Sequence, residues 1–179
     1  MRILSILSFL CLFLASCSEN SELQQVRIDN LYVVSIPSFL YAVKDLNSDA
    51  SLQYMNETRE YYVLVIHEDK AEFHESIRDT ELMETYAPNI DGYANLLIDS
   101  FGYNANVKSK TKVSETQIND MPARLVNMHA SFDGVDVFCS LAYLEGKENY
   151  YQVFAWTLRA NEKQYKESLN GIAHSLREI

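Results

Sequence analysis

Three rhythms of apolar and polar residues run along this chain, and each predicts a different kind of element. Ile3 to Ala15 is an almost unbroken apolar run. Its 13 residues are too few for a spanning helix, which takes roughly 20. Strand rhythm begins at Leu31-Tyr32-Val33-Val34-Ser35-Ile36 and stops at Pro37. A second short strand is expected over Leu52–Asn56. Tyr61-Tyr62-Val63-Leu64-Val65-Ile66-His67 is rich in β-branched and aromatic residues and apolar on both faces, the mark of a central strand covered on both sides. The period then lengthens. Leu82, Met83, Tyr86, Ile90, Tyr93, Ala94, Leu97 and Phe101 fall at steps of one, three or four, a helical stripe. Pro88 interrupts it, so two helices, 73–86 and 89–101, or one kinked helix are expected, with Gly102 closing the second.

From 106 onward the chain reads as an antiparallel meander. Val107 to Val113 alternates strictly, with Lys108, Lys110 and Lys112 on one face. Ile118-Asn119-Asp120-Met121-Pro122 reads as a turn into a strand over 123–132, and Asp133-Gly134 signals a tight turn into a strand over 135–144. The last strand is Tyr150 to Leu158. Asn161 with Gln164 predicts the start of a terminal helix, lined on one face by Tyr165, Leu169, Ile172, Ala173 and Leu176. Strand runs joined by hairpins and covered by helices give the class α+β: an antiparallel sheet of about six or seven strands flanked by helices.

Composition narrows the partners. The net charge is −10, so nucleic acid is not expected as a partner, since phosphate binding needs a basic face. The acidity concentrates between Glu57 and Asp91, where ten acidic residues face only Arg59, Lys70 and Arg78. That stretch reads as a solvated helix face with loops, or as a surface for a cation or basic partner. Cys11 lies in the leading apolar run, Cys17 just after it, and Cys139 in a strand, where a buried inert thiol is expected.

Met1-Arg2, the apolar run and the small residues before Cys17 make a secretory signal. Leu14-Ala15-Ser16-Cys17 resembles the lipobox of bacterial lipoproteins. The resemblance implies cleavage after Ser16, diacylglycerol on Cys17 and acylation, as by palmitate, of the new amino terminus. Residues 1–16 are then the signal, 17–28 a polar lipidated tether and 29–179 a single domain. A cell-envelope location on a membrane follows. Ser18 after the cysteine favours the outer membrane in a Gram-negative cell.

Ser35-Ile36-Pro37, the tyrosine-rich central strand, the helical insert, the turn Ile118 to Ala123, the strand Tyr150-Tyr151-Gln152-Val153-Phe154 and the closing Ser175-Leu176 together resemble the PsbP-like superfamily, which includes DcrB-type lipoproteins. The resemblance spans about residues 30–178, and Asp120 stands where that pattern has a glycine. It implies an α/β/α sandwich and an accessory or binding role. It leaves the function open, because a fold hosts many functions.

Motifs for catalysis are absent: the sequence has no nucleophile elbow, Walker loop or dinucleotide fingerprint. No catalytic residue and no cofactor is expected. The weak metal candidates are His67, Glu68, Asp69 and His74, a mixed set without tight zinc spacing. His129 is expected on a polar sheet face, and His174 beside the helix dipole at the end of the terminal helix. With 12 Tyr and 8 Phe, an aromatic core with hydroxyls at the surface is expected, or an aromatic contact face. Three functional readings follow: a non-enzymatic lipoprotein binding a protein or small molecule, a carrier of apolar ligands with a pocket between the aromatic sheet face and helix 89–101, and a metal-dependent hydrolase at His67 and His74.

Overall fold

The computed structural model describes residues 22–78 and 80–179. Among the described residues, eleven strands form two antiparallel sheets. The large sheet runs β3 (Tyr41–Ala42), β4 (Leu52–Asn56), β5 (Tyr61–Asp69), β10 (Asn149–Leu158), β9 (Val135–Glu145), β8 (Met121–Phe132), β6 (Asn106–Lys110). The long β8 also carries β7 (Ser114–Ile118) along its first half. The small sheet is β1 (Leu23–Ile28), β2 (Tyr32–Pro37) and β11 (Arg177–Glu178). The domain is α+β, as its strand and helix periods predict.

Alternation along the strands builds two cores on opposite faces of the large sheet. Tyr61, Val63 and Val65 of β5, Tyr151 and Val153 of β10, and Ala142 and Leu144 of β9 face α4 (Glu162–Ser175) and the small sheet. Val137, Cys139, Leu141 and Tyr143 of β9, with Val126 and Met128 of β8, face α1 (Lys70–Arg78) and α3 (Ile90–Asn104). This is the period-2 rule of a sheet covered on both faces. Much of the filling is aromatic. Tyr93 stacks on Tyr150 at 4.2 Å, and Phe73 meets Tyr93 edge-on at 4.9 Å.

Several expectations are corrected. Residues 23–28, expected within a polar tether, form β1, because Val26 and Ile28 pack against the core and the Gln24 amide donates to the carbonyls of Leu40 (2.8 Å) and Pro37 (3.2 Å). The first helix begins at Lys70, where the Asp69 carboxylate caps the amides of Ala71 and Glu72 at 2.8 and 3.0 Å. It ends at Arg78, and a short α2 (Leu82–Thr85) follows. Helix α3 starts on the Asn89 side chain, which accepts from Asp91 and Gly92, and runs past Gly102 to Asn104. Gly92 is required: a Cβ there would lie 1.8 Å from the Ala87 carbonyl oxygen in the turn that Pro88 makes. Asn161 precedes α4 but does not cap it with its side chain, which donates to the Arg59 carbonyl at 3.4 Å. Among the described residues no helix is long and apolar enough to cross a membrane.

Candidate functional site: an apolar groove on the sheet

Helix α3 lies over β8, β9 and β6. Beside it, over parts of β5, β10 and β9, a groove of about 750 Å³ opens among the described residues. The register sets its floor in three cross-strand rows: Ile66, Gln152 and Tyr143; then Leu64, Phe154 and Leu141; then Tyr62 and Trp156. Leu97 and Phe101 of α3 form one wall, and Phe132 and Val135 of the β8–β9 hairpin another. The hairpin turns on Asp133 and Gly134, both at positive φ (48° and 85°), as the Asp-Gly pair requires.

The rings interlock without closing the groove. Tyr62 stacks on Trp156 at 5.1 Å, Phe154 tilts against Trp156 at 4.6 Å, and Phe101 meets Phe154 and Phe132 edge-on at 5.7 and 5.8 Å. Volume and lining suit a small molecule, since such sites span roughly 300–1,000 Å³ and are mostly apolar. Charge at the rim is acidic only. Glu60 accepts the Tyr62 hydroxyl at 2.8 Å, and Asp133 sits on the hairpin. Partial burial and the Glu60 hydrogen bond push the Tyr62 phenol up to about 12.

The metal candidates are dispersed. His67 shares the α4 face with its cross-strand neighbour Tyr151, whereas His74 on α1 hydrogen-bonds the Tyr150 hydroxyl at 3.1 Å on the other face. Asp69 is occupied as the cap of α1. Glu68 is half-buried beside Tyr93, and burial raises its pKa. Among the described residues no cluster of three or more His, Cys, Asp or Glu could hold a metal ion. The buried Nδ1 of His67 has no hydrogen-bond partner among them. Cys139 is fully buried, and desolvation pushes its thiol up to about 12. His174 is exposed at the end of α4, where its carbonyl accepts from the Asn119 side chain at 3.3 Å. Cys17 and the apolar run before it lie outside the described residues.

His129 sits in a hydrogen-bonded chain. It meets Ser109 of β6 through Nδ1 at 2.9 Å and Glu162 of α4 through Nε2 at 3.0 Å. Glu162 also takes Lys166 at 3.1 Å and Arg159 at 3.3 Å, so the cluster ties β6 and β8 to the start of α4. Burial opposes ionisation of Glu162, but the hydrogen bonds from Lys166 and His129 outweigh it and hold its pKa below the ordinary value. A lowered folded-state pKa stabilises above the ordinary Glu range and is lost as pH falls through the lowered value. Glu162→Gln should therefore lower Tm at neutral pH and flatten the acid limb of the Tm–pH curve, as measured by thermal melts from neutral to acid.

The groove was partly legible. The sequence places a pocket between the aromatic sheet face and helix 89–101, and the groove lies there. Its floor on β5 was not legible as open: apolar residues on both faces read as full cover, yet Tyr62 and Ile66 remain partly exposed. Gln152 is the missed signal, a polar residue on the inward side of an apolar central strand.

Fold and site define a class: an antiparallel α+β domain with an apolar groove on one sheet face. No protein-family model and no curated protein matches the sequence. Among solved structures, the chain is similar to cyanobacterial PsbP (CyanoP) from Synechocystis sp. PCC 6803, at 12% identity and a TM-score of 0.59, over 93% of this chain and 99% of that one. It is also similar to LpqN of Mycobacterium tuberculosis, a protein involved in cell envelope biogenesis, at 10% identity and a TM-score of 0.53, over 91% of this chain and 95% of that one. The fold is therefore PsbP-like.

Proposed function

We propose that this chain is a non-enzymatic binding protein of the bacterial cell envelope, held to a membrane by lipid on Cys17, and that its ligand binds in the sheet groove. The groove carries the binding reading. A protein gains stability by burying apolar surface, at about 25 cal/mol per Å². A concave apolar floor of Leu64, Leu141, Phe154 and Trp156 beside α3 fits a site kept for a ligand. The LpqN likeness supports an envelope role, and Leu14-Ala15-Ser16-Cys17 supports the anchor. Ser18 supports the outer membrane.

Trp156 is the sole tryptophan of the chain and lies in the groove floor, so its emission reports on the site alone. Titrating the Cys17→Ala protein, which carries no acyl chain of its own, with dodecanol is expected to give a saturable blue shift. An emission spectrum unchanged up to the solubility limit would overturn the binding reading.

A further inference from the structure

One cross-strand row of the groove floor carries two uncharged polar side chains, Tyr143 and Gln152. Tyr143 is 3% exposed and lines the groove, and its hydroxyl makes no hydrogen bond among the described residues. That hydroxyl is therefore free to meet a group that enters the groove. Its neighbour in the same row is Gln152, whose Nε2 donates to the Tyr93 hydroxyl at 3.0 Å. Tyr93 is in turn engaged with Glu68. That chain engages the Gln152 Nε2 and leaves its Oε1 as an acceptor, in the row that Tyr143 also occupies. The row thus offers one hydroxyl and one carbonyl oxygen, and burial keeps the Tyr143 phenol protonated.

Charge then selects the head group. The groove-lining residues include Glu60 and Asp133 but no Lys, Arg or His. Arg124 is next along the row, opposite Tyr143, but its guanidinium is held by Asp91 at 2.6 and 3.0 Å and by the Ala123 carbonyl. An anionic head would find no cation, and any ionic head would lose its hydration. An uncharged head that both donates and accepts fits the hydroxyl and the amide oxygen.

Resting on the reading of the groove as a ligand site, we propose that its ligand is an uncharged single-chain amphiphile. Its hydroxyl or amide head sits on Tyr143 and Gln152, and its alkyl chain runs along the Leu64, Leu141 and Phe154 row to Trp156. From Gln152 to Leu158 the floor extends about 20 Å at the rise of a strand, enough for an extended chain.

The test compares dodecanol, dodecanoate and dodecylammonium on the full-length Cys17→Ala protein by Trp156 emission. Dodecanol should bind tightest, with both ions weaker by about tenfold or more. Tyr143→Phe removes one oxygen and keeps the ring. It should weaken dodecanol by about five- to tenfold, the worth of a hydrogen bond, and leave dodecanoate unchanged. Ile66→Lys puts a cation in the same row at a partly exposed position, and should reverse the order in favour of dodecanoate. Equal binding of all three probes, or tighter dodecanoate on the unaltered groove, overturns the head-group inference and leaves the groove reading standing. An unmoved Tyr143→Phe does the same. If no probe shifts Trp156, the groove reading falls and takes this inference with it.

Discussion

Tyr61→Ala should cost about 3–5 kcal/mol, the range for removing a buried aromatic ring. Tyr61 is fully buried where β5 meets α4. Its ring is edge-on to Phe39 at 5.5 Å and to Tyr165 at 5.2 Å, and its hydroxyl meets Ser168 at 3.0 Å. Truncation leaves a cavity beneath α4, unpairs a hydroxyl and removes two ring contacts, each worth about 0.5–1.5 kcal/mol beyond its area. Domains of this size are stable by roughly 5–15 kcal/mol, so the variant stands near the edge of folding. Urea unfolding followed by Trp156 emission should show a large fall in midpoint with an unchanged slope. Tyr61→Phe should lose only about 1 kcal/mol, the net value of the hydrogen bond. Equal losses in the two variants would place the weight on the hydroxyl and contradict the packing account.

Cys17→Ala should move the protein from the membrane fraction to the soluble fraction. Each acyl CH₂ buried in a bilayer contributes about 0.8 kcal/mol, and a single chain binds only marginally. Several chains on one cysteine hold durably, and none of them survives the substitution. Among the described residues no helix is long and apolar enough to span a bilayer. The net charge of −10 also gives no attraction to anionic lipid. Cell fractionation with and without high salt reads the outcome. Membrane association retained by the variant in high salt would sink the anchor.

What the chain reveals before folding follows burial. The strands over 32–37, 61–69, 121–132, 135–145 and 149–158 are buried, so their apolar alternation announces them within a few residues. Strand β7 is almost wholly exposed, and Ser114-Glu115-Thr116-Gln117 carries no apolar signal. Its place comes from backbone pairing with β8, across a two-residue turn in which Asn119 and Asp120 both adopt positive φ (48° and 67°). Asp120 can hold that conformation because Asp tolerates it better than most residues. Strands β1 and β11 were hidden for a related reason: each is half polar and gains its meaning only beside β2. The open floor of the groove was hidden differently. Apolar residues on both sides of β5 look the same whether a helix or a ligand is to cover them. The cross-strand row of Gln152 with Tyr143 puts polar side chains on that floor, and pairing of β10 with β9 is not written in either segment alone.

The central claim is that the sheet face beside α3 is a ligand site. A crystal structure of the Cys17→Ala protein grown with dodecanol tests it most directly. The account predicts an extended ligand with its oxygen within hydrogen-bond distance of the Tyr143 hydroxyl and its chain over Phe154 and Trp156. A groove filled by inward movement of Phe101 and Leu97, with the alcohol bound elsewhere or not at all, would contradict it.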